Sequence, residues 1–280
     1  MTTELTITIG GDCTVRRLGF GAMRLCGPGV WGWPNDRENA LRVLRRAVEL
    51  GVNFIDTADA YGPDLNEEQI ARALFPYPAG LTIATKGGCT RGGPGEWGRD
   101  GRPEHLREAC EGSLRRLRVE CIDLYQLHAI DPRVPLAEQI GTLRELRDAG
   151  KIRHAGLSNV DLDRVRRARE IVDIASVQNS YNLRQRESEP VLRYCEANGM
   201  AFIPYFPLDA GDLAGPALEE VAMAQGATIF QIGLAWLLRH SSATLPIPGT
   251  SSLEHVDENV GAASLSLSDA EYQRLSALAR

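Results

Sequence analysis

The chain has 280 residues, 43% hydrophobic and 24% charged, the balance of a globular protein whose core needs no metal or disulfide support. A formal net charge of −6 argues against a nucleic-acid partner held through phosphates and against an anionic membrane surface. Six cysteines (13, 26, 89, 110, 121 and 195) lie far apart with no CxxC pair, so reduced thiols and a cytoplasmic location are expected.

Residues 1–10 have neither a basic start nor a long apolar core, so no signal peptide is expected there. No uninterrupted apolar run reaches the ~18 residues of a membrane span. Residues 4–16 alternate around Gly10, Gly11 and Asp12, which predicts a hairpin. Strands are then predicted at 17–21, 53–56, 81–86, 122–127, 152–157, 175–178, 201–205 and 243–247. Helical patterns fall between them, at 37–50, 66–74, 103–117, 136–149, 161–171, 188–198 and 229–239. In the first helix, Leu41, Val43, Leu44, Ala47, Val48 and Leu50 share one side and Gly51 supplies the stop. Most strands are uniformly apolar, as parallel strands covered on both faces are. Eight strand–helix units in about 250 residues point to a (β/α)₈ TIM barrel, with residues 1–280 as one domain. A doubly wound open sheet is the alternative, weakened by the lack of a GxGxxG after the first strand. Two connections, 24–36 and 87–102, are long, glycine-rich and contain tryptophan.

Three apolar strands end on polar groups. GVNFIDTADAYG (51–62) runs from Val52 to Ile55 and ends on Asp56, with Tyr61 five residues later. LTIATK ends on Lys86 and IDLYQLH on His128. Barrel enzymes work at the C-terminal ends of their strands, where these residues would meet. A phenol is a poor acid at its ordinary pKa of ~10, and an ammonium beside it stabilises phenolate. Lys86 can do this if Asp56 holds it, and His128 can orient a carbonyl oxygen. Together they could protonate an alkoxide as hydride reaches carbon. Taken singly, Asp56 could cap a helix, Lys86 could be a solvated strand end and His128 a core histidine. Their joint placement favours a site.

Trp31, Trp33 and Trp97, in the two long loops, could wall a flat substrate or could fasten their own loops to the rim. Trp236 has core spacing, and His105, His154 and His240 read as structural or exposed. Cys26 and Cys89 lie in loops near the site, with nothing to mark either as a nucleophile. No spacing suggests a metal.

The segments LGFGAM (18–23), GVNFIDTADAYG (51–62), TK (85–86), DLYQLH (123–128), GKIRHAGLSN (150–159), VQNSYN (177–182), PYFPL (204–208) and IPGTSSLEHVDEN (247–259) carry a family likeness. Through them the chain resembles the aldo-keto reductase superfamily over essentially its whole length. The resemblance implies a TIM barrel plugged at its bottom by an N-terminal hairpin and a nicotinamide cofactor, NADPH, bound without a Rossmann fold. It also implies a tetrad of Asp56, Tyr61, Lys86 and His128, with Tyr61 as proton donor. Ser158, Asn159 and Gln178 match the residues that hold the carboxamide, and Tyr205 matches the aromatic stacked on the nicotinamide. Pro207, Leu208, Asp209, Ala210 and Gly211 match the loop over the pyrophosphate, and Met23 and Arg24 the turn beside the nicotinamide ribose. Glu258 and Asn259 match the residues at the adenine. Thr250, Ser251 and Ser252 open a helix whose N-terminus favours phosphate. Many relatives place a lysine and an arginine around the 2′-phosphate. Gly249 and His255 stand there in this chain, and histidine helps only when protonated.

The expected activity is NADPH-dependent reduction of an aldehyde or ketone to an alcohol. Within the superfamily, stretches such as GAMRLCGPGVWGWPNDR and YFPLDAG are most similar to bacterial pyridoxal reductases, also described as pyridoxine 4-dehydrogenases. Pyridoxal is a flat aromatic aldehyde, which suits an aromatic loop pocket. The alternatives are a reductase of a larger ketone in secondary or sugar metabolism and a slow nicotinamide-binding redox sensor. The expected partner is a small carbonyl substrate, bound by a monomer or small homo-oligomer.

Overall fold

The computed structural model describes residues 5–279. Residue 4 of the expected hairpin, and residues 1–4 of the segment read for a leader, lie outside the described residues. Period-two alternation makes the N-terminal hairpin. β1 (Thr6–Ile9) and β2 (Cys13–Arg16) pair antiparallel, with Ile7 opposite Val15 and Ile9 opposite Cys13. Ile9, Cys13 and Val15 are buried against Phe54, Ala84, Leu124 and Ile203, so the hairpin packs on the interior of the main sheet.

Strand and helix then alternate. The elements are β3 (Phe20–Gly21), α1 (Arg37–Glu49), β4 (Phe54–Asp56), α2 (Leu65–Leu74), β5 (Thr82–Gly87), β6 (Cys89–Gly93), β7 (Glu96–Arg99), α3 (Pro103–Leu117), β8 (Ile122–Leu127) and α4 (Leu136–Asp148). They continue with β9 (Ile152–Ser158), α5 (Leu162–Arg169), β10 (Ile174–Ser180), α6 (Glu189–Ala197), β11 (Ala201–Tyr205), α7 (Pro216–Gln225), α8 (Ile229–His240), α9 (Leu253–Gly261) and α10 (Asp269–Ser276). A seven-stranded parallel sheet runs in the order β3, β4, β5, β8, β9, β10, β11. Side chains alternate across it. Phe54, Ala84 and Leu124 share the inner cluster, while Ile55 and Ile83 pack outward on Ala40, Leu44 and Ile70 of α1 and α2.

The eighth expected strand, 243–247, forms no ladder. Its one bridge joins Thr244 to Phe202. Pro246 and Pro248 lack the N–H groups a ladder needs. The segment still closes the barrel. The Phe202 N–H donates to Ala243 O at 2.8 Å, Leu245 N–H to Phe202 O at 2.8 Å, and Gly19 N–H to Pro246 O at 2.9 Å. The buried Arg17 guanidinium ties the closure down by donating to the carbonyls of Leu238, Ser241 and Thr244. The result is the expected (β/α)₈ barrel, nearly closed.

Elsewhere the structure differs from the sequence reading in two ways. The stretch 87–102 is not an open loop. It carries the antiparallel pair β6–β7, with Thr90 opposite Gly98 and Arg91 opposite Trp97. Two helices, α7 and α10, have no counterpart in the sequence reading, although Ser268 and Glu271 form a capping box at the start of α10, whereas α9 is the helix expected to open at residues 250–252. Among the described residues no single helix is long and apolar enough to cross a membrane.

Candidate active site

The inward parity of the strands builds the site. Two residues beyond Phe54, Ala84 and Leu124, at the C-terminal strand ends, stand Asp56, Lys86 and Gln126. An apolar layer thus gives way to a polar one at the mouth of the barrel. The Lys86 ammonium donates to Asp56 Oδ2 at 2.7 Å, to the Thr57 carbonyl at 2.8 Å and to the Tyr61 hydroxyl at 3.3 Å. The other Asp56 oxygen accepts from Gln178 at 2.8 Å and from Gln126 at 3.4 Å. His128 follows β8, with its N–H on the Gly87 carbonyl at 2.9 Å. Its ring meets that of Tyr61 edge-on at 5.8 Å. Asp56, Tyr61, Lys86 and His128 therefore form one cluster.

Burial dominates its electrostatics. It pushes the Tyr61 phenol up to about 12, and the Lys86 charge recovers only part of that shift. The expected downward pull of Lys86 on the phenol is present, and desolvation outweighs it. Burial also opposes the Lys86 ammonium, but Asp56 and then Tyr61 outweigh it and hold its pKa above the usual value. For His128, burial, Lys86 and Arg91 all act downward, so its imidazole is neutral at neutral pH. His128 Nδ1 has no protein partner among the described residues.

The cluster opens into a cavity of about 790 Å³, within the range of small-molecule sites. Asp56, Tyr61 and His128 line its floor, and Lys86 lies fully buried behind them. Ser158, Asn159, Gln178 and Tyr205 line one wall. They are already tied together. Asn159 donates to the His128 carbonyl at 2.9 Å and to Ser158 Oγ at 3.1 Å, and the Tyr205 hydroxyl donates to Asn159 Oδ1 at 2.8 Å. Pro207, Leu208, Ala210 and Gly211 line the cavity with Phe206, while Asp209 is turned to Gln185 at 2.9 Å. Met23, Arg24, Thr250, Ser251, His255, Glu258 and Asn259 complete the wall. Ser252 does not line it. Its hydroxyl caps α9 by accepting from the His255 N–H, and Thr250 Oγ1 accepts the Ser252 N–H at 3.0 Å.

Of the three loop tryptophans, Trp97 lines the cavity. Its ring lies 6.3 Å from that of Tyr61 and 6.0 Å from that of His128. Trp31 and Trp33 do not line it. Trp31 bridges to Gly62, and Trp33 packs under Arg37 at 4.4 Å, so both fasten their own loop. Cys89 lines the cavity, while Cys26 accepts from Asn66. Burial raises both thiols, to about 11 for Cys89 and about 12 for Cys26, which keeps them protonated.

Sequence reasoning missed Gln126 and Arg91. Gln126 shares the inward parity of Lys86 and lies inside DLYQLH, so period two was a usable signal. Arg91 carried none. Its guanidinium donates to five carbonyls from three chain segments: Gly29, Val30, Ala60, Gly93 and Glu96. It also lies 3.8 Å from the Trp97 ring centre. Arg91 thereby joins both long loops to the turn that carries Tyr61.

Comparison with known proteins places this geometry. A model of the aldo/keto reductase family matches residues 17–280. The chain is 48% identical to an uncharacterized oxidoreductase of Schizosaccharomyces pombe, over 95% of this chain and 87% of that protein. It is 41% identical to pyridoxine 4-dehydrogenase of Escherichia coli, over 98% of each. Its fold superposes on an aldo-keto reductase of Klebsiella pneumoniae solved in complex with NADPH, with a TM-score of 0.84 and 28% identity, covering 99% of this chain and 95% of that one. The chain belongs to the aldo/keto reductase family.

Proposed function

We propose that this aldo/keto reductase uses NADPH to reduce a flat aldehyde or ketone, with pyridoxal as the leading candidate and Tyr61 as proton donor. The observation that carries the proposal is a phenol 3.3 Å from an ammonium that Asp56 locks in place, at the floor of a ligand-sized cavity. The relatives support the cofactor and the substrate class, since one is a pyridoxine 4-dehydrogenase and another was solved with NADPH.

The residues present suit such a cofactor. Hydroxyl and amide groups line one end of the cavity, and the start of α9 with Thr250 and Ser251 lines the other. Ser158, Asn159 and Gln178 would hold the carboxamide, and Tyr205 would lie against the ring. Gln178 Nε2 is committed to Asp56 at 2.8 Å, which leaves its carbonyl oxygen as the group to accept a carboxamide N–H. When bound, the nicotinamide supplies hydride to the substrate's carbonyl carbon. Tyr61 gives its proton to the carbonyl oxygen as negative charge builds there. Burial keeps the phenol protonated until that moment, and the Lys86 ammonium stabilises the phenolate left behind. Asp56 fixes the ammonium, and Gln126 and Gln178 fix Asp56. The neutral His128 imidazole orients the carbonyl by hydrogen bonding. The six free cysteines support a reducing, cytoplasmic setting.

The test is a panel of carbonyl compounds with NADPH, pyridoxal included, followed at the nicotinamide absorbance band. Turnover of flat aromatic aldehydes well above that of small aliphatic ones supports the reading. Stoichiometric oxidation without turnover would point to a sensor instead.

A further inference from the structure

We propose that Arg99 selects the substrate, and that the carbonyl compound taken by this site carries a carboxylate held by the Arg99 guanidinium. The proposal rests on the reductase reading above and departs from it in one respect: pyridoxal carries no carboxylate, so a flat aldehyde or ketone acid takes its place as the preferred substrate. Arg99 ends β7 opposite Cys89, and both line the cavity beside Trp97. Its guanidinium donates to the Ile130 carbonyl, two residues beyond His128, at 3.3 Å. Among the described residues this is the one hydrogen bond its side chain makes, so most of its five N–H donors remain available.

No carboxylate neutralises it. The acids nearest in the chain are taken: Asp100 pairs with Arg102 at 2.6 Å and Asp131 with Arg133 at 2.9 Å. Within the cavity wall, Asp56 belongs to Lys86, and Glu258 accepts the Thr228 hydroxyl. Arg91, on the same hairpin, donates to five neutral carbonyls and pairs with no acid among the described residues. The Trp97 end of the cavity therefore carries positive charge that the protein does not balance.

The available donors say which anion fits. A guanidinium fork matches a planar carboxylate bidentately. A phosphate dianion would call for donors from a second cation, and those of Arg91 are already spent on carbonyls. Trp97 precedes Arg99 by two residues on β7 and its ring lies 6.3 Å from that of Tyr61 and 6.0 Å from that of His128, so a flat ring against its indole would bring the reacting carbonyl and the carboxylate within reach of both ends.

The experiment compares kcat/KM for 3- and 4-carboxybenzaldehyde with that for their methyl esters, using NADPH, in the wild type, Arg99→Met and Arg99→Lys. Titration calorimetry of the matching carboxybenzyl alcohols into the NADPH-loaded enzyme, a pair that cannot exchange hydride, gives a readout free of turnover. The wild type should prefer at least one acid over its ester by about tenfold or more. Arg99→Met should raise the KM of that acid by about 10–100-fold and bring the acid-to-ester ratio toward one, with Arg99→Lys between. Equal use of acids and esters by the wild type, or an acid KM that Arg99→Met leaves in place, overturns the proposal. If no aldehyde is reduced yet the alcohols bind in an Arg99-dependent way, the reductase reading fails and the anion site stands. If they are neither reduced nor bound, the anion site is wrong.

Discussion

Lys86 and Asp56 meet at 2.7 Å with neither side chain more than 3% exposed. A buried ion pair of this kind seldom adds net stability, because desolvating both charges offsets their attraction. Its value here lies in position. It fixes an ammonium 3.3 Å from the Tyr61 hydroxyl, in a cluster that burial would otherwise hold neutral.

Lys86→Met should strand the Asp56 carboxylate among buried groups and cost about 3–5 kcal/mol of stability. The double variant Asp56→Leu, Lys86→Met should recover most of that stability and none of the activity. Denaturant melts and steady-state rates on both proteins check this. Recovery of activity along with stability would show that the pair serves the fold alone.

The pH dependence follows from the phenol. Its folded value of about 12 lies above the ordinary one, so Tyr61 stays protonated through the neutral range. Reduction, which needs the protonated form, should show no loss assignable to Tyr61 between about pH 7 and pH 9. Alcohol oxidation needs phenolate, so its kcat/KM should climb about tenfold per pH unit over the same interval. A plateau in the oxidation profile within that interval would mean that the free enzyme holds the phenol far lower.

Arg91→Lys keeps the charge but loses the fork that reaches five carbonyls. Trp97 should then lose its fixed place. We expect a fall of about tenfold in kcat/KM for aromatic aldehydes, a smaller one for small aliphatic aldehydes, and a lower Tm. Equal losses on both substrate types would remove Trp97 from substrate recognition.

If the 2′-phosphate binds at the start of α9 as proposed, cofactor choice turns on residues 249 and 255. A Cβ at Gly249 would lie 2.4 Å from the Gly21 carbonyl oxygen, so no side chain fits there without backbone movement. Gly249→Ala should weaken NADPH binding and lower Tm together. His255 lines the cavity on α9, and His255→Arg should tighten NADPH by about tenfold with little change for NADH. Fluorescence titration of both cofactors decides it. Equal tightening of both, or of neither, would place the 2′-phosphate elsewhere.

The barrel was legible because its strands are uniformly apolar and end on polar residues, which fixes both parity and polarity. The cluster of Asp56, Tyr61, Lys86 and His128 followed from the same strand ends. Contacts that depend on three-dimensional closure were not legible. Pro246 and Pro248 hid the fact that the eighth segment closes the barrel through isolated hydrogen bonds. Glycines in 87–102 masked a hairpin, and with it the clamp made by Arg91. Trp31 and Trp33 read like Trp97 by composition, yet only Trp97 lines the cavity among the three, because β6–β7 carries it over Tyr61. The direction of the Tyr61 shift needed the extent of its burial, which no local pattern encodes.

The most direct measurement is Tyr61→Phe, assayed for NADPH binding by fluorescence quenching and for single-turnover reduction of an aromatic aldehyde. Removing one hydroxyl should leave the cofactor dissociation constant near the wild-type value. The reduction rate should fall by roughly 10²–10⁴-fold. Near-wild-type reduction with NADPH still bound would contradict Tyr61 as the proton donor.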